Sequence, residues 1–179
     1  MQAPKDMYSA PSDINAILTR EARQLAARLL ETADRKGLNI ATAESCTGGL
    51  LSTILTDVPG VSHCFECGFV VYSDSAKSRL LGISPELLEI HGAVSKPVAI
   101  EMAEKALERC KAQAALSITG FAGPGGAGDE EGLVHFAVAR DSQMTVHREE
   151  HFGPSGRDRI RTDALQTGLQ LLAHSVEAA

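Results

Sequence analysis

The stretch from residue 38 to residue 50 constrains the fold of this chain more than any other segment. Residues 38–43 form an apolar run that is typical of a buried strand, and residues 44–49 form a small, polar turn that ends in two glycines. The apolar period that follows predicts a helix and consists of Leu50, Leu51, Ile54 and Leu55. The stretch therefore predicts a strand–turn–helix corner at the end of a sheet, beside the unpaired N–H groups of a helix N-terminus.

Ser45 and Thr47 supply the hydroxyl groups of this corner. An anion or a developing oxyanion is favoured at such a helix N-terminus, so the pattern is consistent with a ligand site or a reaction centre. The alternative is that one hydroxyl only caps the helix and that Gly48 and Gly49 only tighten the turn. The stretch alone leaves both interpretations open.

The composition favours one globular domain that acts on small molecules. The chain has 179 residues, 44% hydrophobic and 22% charged, which suits a single core. A formal net charge of -6 without any run of Lys or Arg disfavours nucleic-acid and membrane partners. Because no apolar run approaches the ~20 residues of a membrane span and no signal peptide is evident, we expect a cytoplasmic protein.

The cysteines and histidines indicate neither a disulfide framework nor a metal site. Cys64 and Cys67 have the C-x-x-C spacing, but they lead into an apolar run instead of opening a helix, which disfavours a redox or zinc role. We expect the histidines to be structural or surface groups, because they form no ligand pattern: His63, His91, His135, His147, His151 and His174. No metal and no other cofactor is expected.

Besides the strand and helix of the corner, the first half of the chain predicts one more helix and one more strand. Residues 1–12 are expected to be a flexible tail, and a single domain over residues 13–179 is expected to begin with a helix from Ile14 to about Lys36, capped by Asp13. The β-branched and aromatic run from Phe65 to Tyr72 predicts a second strand, in which Gly68 indicates a bulge or a close backbone approach.

Serines at helix N-cap positions predict three helices in the middle of the chain. They begin after Ser73, Ser84 and Ser95, and the first has Lys77 in its first turns. A strand near residues 114–119, a β-hairpin over residues 132–151 and a helix over residues 155–173 follow. The order α-β-α-β-α-α-α-β-β-β-α predicts an α/β fold with three layers, α/β/α, around a mixed, mostly parallel sheet.

A glycine-rich loop over residues 120–128 follows the third predicted strand. Its five glycines allow backbone N–H groups to approach a ligand closely, although a bare flexible loop is the simpler interpretation. Glycine-containing turns after two different strands place a crevice at the strand ends, where α/β proteins bind ligands. The loop matches neither the P-loop nor the dinucleotide-binding pattern.

Several short motifs occur in a characteristic order along the chain: Ala43-Glu44-Ser45-Cys46-Thr47-Gly48-Gly49, Val58-Pro59-Gly60, Val71-Tyr72-Ser73, Ala76-Lys77, Gly92-Ala93-Val94-Ser95 and Thr119-Gly120-Phe121-Ala122-Gly123-Pro124-Gly125-Gly126. With them the chain resembles the CinA C-terminal domain family over about residues 13–173. That family includes amidases that hydrolyse nicotinamide mononucleotide to nicotinate mononucleotide and ammonia. Longer members carry a preceding nucleotide-processing domain, so the resemblance is to the stand-alone form.

The resemblance implies a nucleophilic serine at Ser45, a catalytic tyrosine at Tyr72 and a catalytic lysine at Lys77. It also implies substrate contacts at Ser62, at Thr119 and at an arginine that opens the last helix, for which Arg157 is the first choice and Arg159 the alternative. The two glycine-containing turns add five candidate substrate-binding residues: Thr47, Gly48, Gly120, Ala122 and Gly123.

These roles form a coherent hydrolytic mechanism. A neutral Lys77 amine accepts the Ser45 proton if burial and the helix N-terminus lower its pKa from ~10.4 toward ~7–8, and Tyr72 relays the proton or orients the amine. N–H groups of residues 46–49 would hold the oxyanion, and Arg157 with the glycine-rich loop would hold a phosphate.

Two other classes of function stay open from the sequence. A nucleotide-binding or regulatory module would keep the same pocket with little turnover. A redox protein based on Cys64 and Cys67 would be insensitive to loss of Ser45. For the amidase we expect a small-molecule nucleotide substrate and a homo-oligomer.

Overall fold

Five strands form one mixed sheet in the order β2-β1-β3-β4-β5 in the computed structural model, which describes residues 17–126 and 128–179. The strands are β1 (Ile40–Glu44), β2 (Phe65–Val70), β3 (Ala114–Gly120), β4 (Leu133–Arg140) and β5 (Val146–His151). β1 pairs in parallel with β2 and β3, whereas β4 is antiparallel to β3 and β5. Only β4 therefore runs against the other four strands, which confirms the mixed, mostly parallel sheet.

Helices cover both faces of the sheet. Within the described residues they are α1 (Arg20–Lys36), α2 (Leu50–Thr56), α3 (Asp74–Ala76), α4 (Pro85–His91), α5 (Lys96–Glu108) and α6 (Arg157–Glu177). α1, α2 and α6 share one core with the sheet, and α4 and α5 share the opposite core, so the predicted α/β/α layers are confirmed. No described helix combines the length and apolar character that a membrane span requires.

Side-chain alternation in β3 decides which helices each face accepts. Leu116 and Ile118 point toward α6, while the neighbouring Ala115 and Ser117 point toward α5. The α5 side also pairs alanines of α5 with alanines of β4, so that this helix packs close to the sheet. The same alternation places Thr119, at the end of β3, on the α5 side, where its hydroxyl donates a hydrogen bond to the carbonyl of Ala93.

The prediction of one helix from Ile14 to Lys36 is wrong in its first part. The helix begins at Arg20, because Thr19 adopts non-helical angles and its hydroxyl accepts a hydrogen bond from the backbone N–H of Ala22 at 3.2 Å. Ile17 and Leu18 are buried in the same core, so the apolar period continues across the break. Asp13 and the expected tail over residues 1–12 lie outside the described residues.

The close approach expected at Gly68 is confirmed. A Cβ atom there would collide with the hydroxyls of Ser52 and Thr42, which are hydrogen-bonded to each other at 2.9 Å. The bulge itself lies earlier, because Ile40 pairs with Phe65 and the next residue of β1 pairs with Cys67. This tight packing brings β2 and α2 together next to the turn that follows β1.

Candidate active site

The turn after β1 places Ser45 at the C-terminal ends of β1 and β3, which lie side by side in the sheet. The backbone N–H of Ser45 donates a hydrogen bond to the carbonyl of Ile118 in β3 at 2.9 Å, which fixes the turn to the neighbouring strand. Gly48 and Gly49 then have φ angles of 61° and 93°, in the left-handed region that glycine tolerates best. The two glycines thus let α2 begin directly behind a buried serine.

Glu44 holds this turn from inside the protein. One carboxylate oxygen accepts hydrogen bonds from the N–H groups of Gly49 and Leu51, at 3.0 and 3.1 Å. The other accepts from the N–H and hydroxyl of Ser52, at 2.8 and 2.6 Å. A fully buried carboxylate therefore caps α2 and offsets the positive end of its dipole.

These contacts narrow the expected oxyanion site. The N–H of Gly49 is bound by Glu44, and that of Gly48 donates to the carbonyl of Ser45 at 3.0 Å. Of the N–H groups of residues 46–49 that were expected to hold the oxyanion, those of the two glycines are therefore already bound within the protein. The amides of Cys46 and Thr47 are the remaining candidates within the turn.

Lys77, in the segment that follows β2, contacts the side chain of Ser45. Its Nζ donates to the Oγ of Ser45 at 3.3 Å and to the backbone carbonyl of Tyr72 at 3.4 Å. The side chain is only 1% exposed, and burial lowers the pKa of Lys77, although Asp74 at 4.0 Å acts in the opposite direction. A buried amine with a lowered pKa beside a hydroxyl is the arrangement that a general base requires.

The backbone around Lys77 explains its position. Ser73 caps α3, as predicted, and its hydroxyl accepts a hydrogen bond from the N–H of Ala76. A π-helical turn over Lys77–Leu81 continues α3, and such turns are frequent at functional sites. Lys77 thus lies where one turn type changes to the other, with its amine directed toward Ser45.

Cys46 is adjacent to Ser45 and also lines the cavity, but its thiol is unsuited to nucleophilic attack. Burial raises the pKa of Cys46 to about 12, so the thiol stays protonated near neutral pH. Ser45, with an amine in hydrogen-bond reach, is the better nucleophile.

A cavity of about 270 Å³ opens in front of the Ser45–Lys77 pair, close to the roughly 300 Å³ at which small-molecule sites begin. All three predicted catalytic residues line it, as do five predicted substrate-binding residues: Thr119, Gly120, Ala122, Gly123 and Arg157. The side chain of Tyr72 is 64% exposed at the cavity, and it is the backbone carbonyl of this residue that contacts the amine. The strand ends and the glycine-rich loop thus form one site.

Three predicted substrate-binding residues lie outside the cavity lining. Thr47 is buried behind the turn, where its carbonyl accepts a hydrogen bond from Arg161 at 3.0 Å, whereas Gly48 is exposed. Ser62 begins a 3-10 turn before β2 and lies where β1 and β2 begin, whereas Ser45 lies where β1 ends. The five residues of β1, at about 3.3 Å per residue, separate the two positions, so Ser62 is not in this site.

The arginines of α6 divide between the cavity and the surface. Arg157 lines the cavity, whereas the exposed Arg159 forms an ion pair with Asp163 at 2.8 Å, which favours Arg157 as the ligand residue. Arg161 was missed by the sequence prediction. It lies one helical turn after Arg157, and burial together with the charge of Arg157 lowers its pKa. The i, i+4 spacing of the two arginines was the available signal.

The redox alternative does not fit the structure. Cys64 is buried in the core shared with α1, while Cys67 packs on the opposite face beside Cys110. Both are free thiols, and burial raises the pKa of each. Because the two cysteines point into different cores, they cannot form one dithiol centre.

Together the fold and the site define an α/β protein with a serine–lysine pair in a small-molecule cavity at its strand ends. A model of the CinA C-terminal domain family matches residues 22–176, and the chain belongs to this family. The resemblance seen in the sequence motifs is thereby confirmed.

Named relatives include proteins of the same size and longer ones. The chain is 42% identical over 154 residues to the nicotinamide-nucleotide amidohydrolase PncC of Escherichia coli K12, covering 85% of this chain and 93% of that protein. It is 47% identical over 154 residues to a CinA-like protein of Mycobacterium marinum, but this match covers only 35% of that longer protein. The crystal structure of competence/damage inducible protein CihA from Agrobacterium tumefaciens has a TM-score of 0.82 at 38% identity, covering 96% of this chain and 99% of that one.

Proposed function

We propose that this chain is an amidohydrolase that converts nicotinamide mononucleotide and water to nicotinate mononucleotide and ammonia, with Ser45 as the nucleophile. The observation that carries the proposal is the 3.3 Å contact between the Lys77 amine and the Ser45 hydroxyl inside a cavity. The substrate class comes from similarity to the E. coli protein named nicotinamide-nucleotide amidohydrolase, nearly all of which the match covers.

The first half of the reaction transfers the acyl group to Ser45. The neutral Lys77 amine takes the hydroxyl proton while the Oγ atom bonds to the carboxamide carbon, and the carbonyl oxygen becomes an oxyanion. The amide of Cys46, the residue of the turn that lines the cavity beside Ser45, stabilises this charge. The C–N bond then breaks, and Lys77 returns the proton to the leaving nitrogen, which departs as ammonia.

The second half releases the acid. Water attacks the ester carbon as Lys77 accepts one of its protons, and the C–Oγ bond breaks when that proton returns to Ser45. The Tyr72 carbonyl, 3.4 Å from the amine, keeps Lys77 in place through both halves. The exposed Tyr72 ring stands at the cavity, where it would lie against the pyridine ring.

Arg157 and the glycine-rich loop would bind the phosphate. The cavity extends from Ser45 through residues 119–125 to Arg157. The carboxamide of the nucleotide would lie at the Ser45 end, and its phosphate at the Arg157 end. A guanidinium and backbone amides are both suited to a phosphate. Arg161, whose charge lies next to Arg157, holds the carbonyl of Thr47 and so links the phosphate end to the nucleophile turn.

An ammonia-release assay tests the proposal. Purified protein should release ammonia and nicotinate mononucleotide in equal amounts from nicotinamide mononucleotide, and Ser45→Ala should retain binding but lose release. Nucleotide binding without product in the wild type would contradict the amidase proposal and favour a binding or regulatory module.

A further inference from the structure

The β4–β5 hairpin carries a second cluster of reactive side chains, separate from the cavity. His135 on β4 lies directly opposite Glu149 on β5 in the antiparallel register. His147 and His151 lie two residues before and after Glu149, so strand alternation places all three β5 side chains on one face. Two strands thus direct imidazoles and a carboxylate toward one point.

The distances within this cluster match a metal coordination sphere. The Nδ1 atom of His135 lies 3.1 Å from the Nε2 atom of His147 and 3.5 Å from a carboxylate oxygen of Glu149. In a tetrahedral site with bonds of about 2.0–2.1 Å, ligand atoms are about 3.3–3.4 Å apart. All three ligand atoms, including those of His147 and Glu149, lie within 4.8 Å of one another, so they are close enough to share one ion.

The surroundings orient these ligands. The second carboxylate oxygen of Glu149 is held by the Nε2 atom of His151 at 3.0 Å, and the Nδ1 atom of His151 contacts Glu130 at 2.7 Å. Such an outer shell of hydrogen bonds is typical of metal sites. The nearby charge of Lys96 opposes a cation, whereas Glu149 and Glu130 favour it.

We propose that His135, His147 and Glu149 form a site for a divalent transition-metal ion, with Zn²⁺ the best match. Two imidazoles and one carboxylate suit zinc better than magnesium or calcium, which prefer oxygen ligands. His135 is buried while Glu149 is half-exposed, which leaves the fourth position open to solvent. The ion would fasten the edge strand β5 to β4, and nothing in this site depends on the proposed amidase activity.

A competing group of ligands lies elsewhere and provides a control. The Nε2 atom of His63 and the Sγ atom of Cys64 both contact the same oxygen of Asp34, at 3.0 and 3.9 Å. Burial raises the pKa of Cys64, so this group must lose a thiol proton before it binds a metal. A metal bound there would have a sulfur ligand, which distinguishes the two places.

Cobalt binding to the metal-free full chain tests the proposal. We expect one equivalent of Co²⁺ to bind with the visible d–d absorption of a four-coordinate site and without a thiolate-to-cobalt charge-transfer band, and Zn²⁺ to displace it. Zinc should also raise the melting temperature, because it binds the folded chain preferentially. Absence of cobalt binding, or a thiolate band, would overturn the proposed site.

Matched variants locate the ion. His147→Ala and Glu149→Gln change side chains that are at least partly exposed, so the metal-free variants should keep the circular dichroism spectrum of the wild type. Each should weaken Co²⁺ binding by about 100-fold or more, and His151→Gln by about tenfold, because outer-shell losses alone typically weaken metal sites by 10- to 100-fold. His63→Ala should leave the affinity unchanged. An unchanged affinity in His147→Ala and Glu149→Gln would refute this assignment.

Discussion

The amine of Lys77 lies 3.3 Å from the hydroxyl of Ser45, although 32 residues separate them in the sequence. Separate elements hold the two groups: the turn after β1 fixes Ser45, and the π-helical turn that follows α3 carries Lys77. The Lys77 side chain is buried, and it lines the cavity in front of Ser45. The contact therefore joins the proposed nucleophile to the proposed base, and burial lowers the pKa of that base.

The pH dependence of hydrolysis should report the ionisation of Lys77. Only the neutral amine accepts the serine proton, and burial lowers the pKa of Lys77 below its ordinary value of 10.5. The rate should rise with pH through one ionisation below that value and then level off. The measurement is kcat/KM for ammonia release across the alkaline range, and a rise centred at the ordinary lysine value would contradict a buried base.

Much of the fold followed from local signals in the sequence. Ser73 and Ser84 cap helices as predicted, because an N-cap hydroxyl acts within a few residues of itself. The order and layers of the elements followed from periodicity for the same reason. The break at Thr19 was missed because burial of Ile17 and Leu18 continues the apolar period through it.

The site was less accessible from the sequence, because it depends on side-chain direction and strand pairing. No spacing rule shows that Glu44 turns inward to bind the amides of α2. The cluster around His135 exists only in one hairpin register, since a shift of one residue would move Glu149 to the other face. Ser62 was predicted from the resemblance alone. It precedes β2, which is parallel to β1, and therefore lies where these strands begin, whereas the cavity lies where they end.

Replacement of Glu44 should loosen the nucleophile turn. Glu44→Gln keeps the shape but turns one acceptor oxygen into an amide donor, which leaves at least one N–H of α2 buried without a partner. An unsatisfied buried group of this kind costs about 1–3 kcal/mol, so urea unfolding should show a loss of that size and kcat should fall. Glu66→Gln, at an exposed position in β2, is the control and should leave both quantities unchanged.

The two arginines at the start of α6 should differ in their effect on substrate affinity. Arg157→Ala should raise KM for nicotinamide mononucleotide by about tenfold or more, but not for the phosphate-free riboside, since a charge-assisted pair exists only when phosphate is present. Arg159→Ala should change neither, because Arg159 pairs with Asp163 on the surface. Equal effects of Arg157→Ala on both substrates would exclude it from the phosphate site.

Lys77, the proposed base, should lower the free energy of unfolding of the protein, because its amine is buried. Because burial makes its pKa lower in the folded chain than in the unfolded chain, the folded state binds fewer protons between the two values. The free energy of unfolding should therefore rise with pH across that window and be lowest below it. Lys77→Met should raise the melting temperature near neutral pH and flatten this dependence, whereas the exposed control Lys111→Met should do neither.

Ser45 and Lys77 should behave as one catalytic unit, because neither group is useful without the other. Ser45→Ala, Lys77→Ala and the double variant should fall to similar residual rates, on the order of 10⁴-fold below the wild type. Lys77→Arg should be nearly as damaging as alanine, since arginine keeps its charge with a pKa above ~12 and supplies no neutral amine. Single-turnover ammonia release from all four variants makes the comparison. If Lys77→Arg retains most of its activity, or if the double variant shows the product of the two single losses, Lys77 is not the base and another group must activate Ser45.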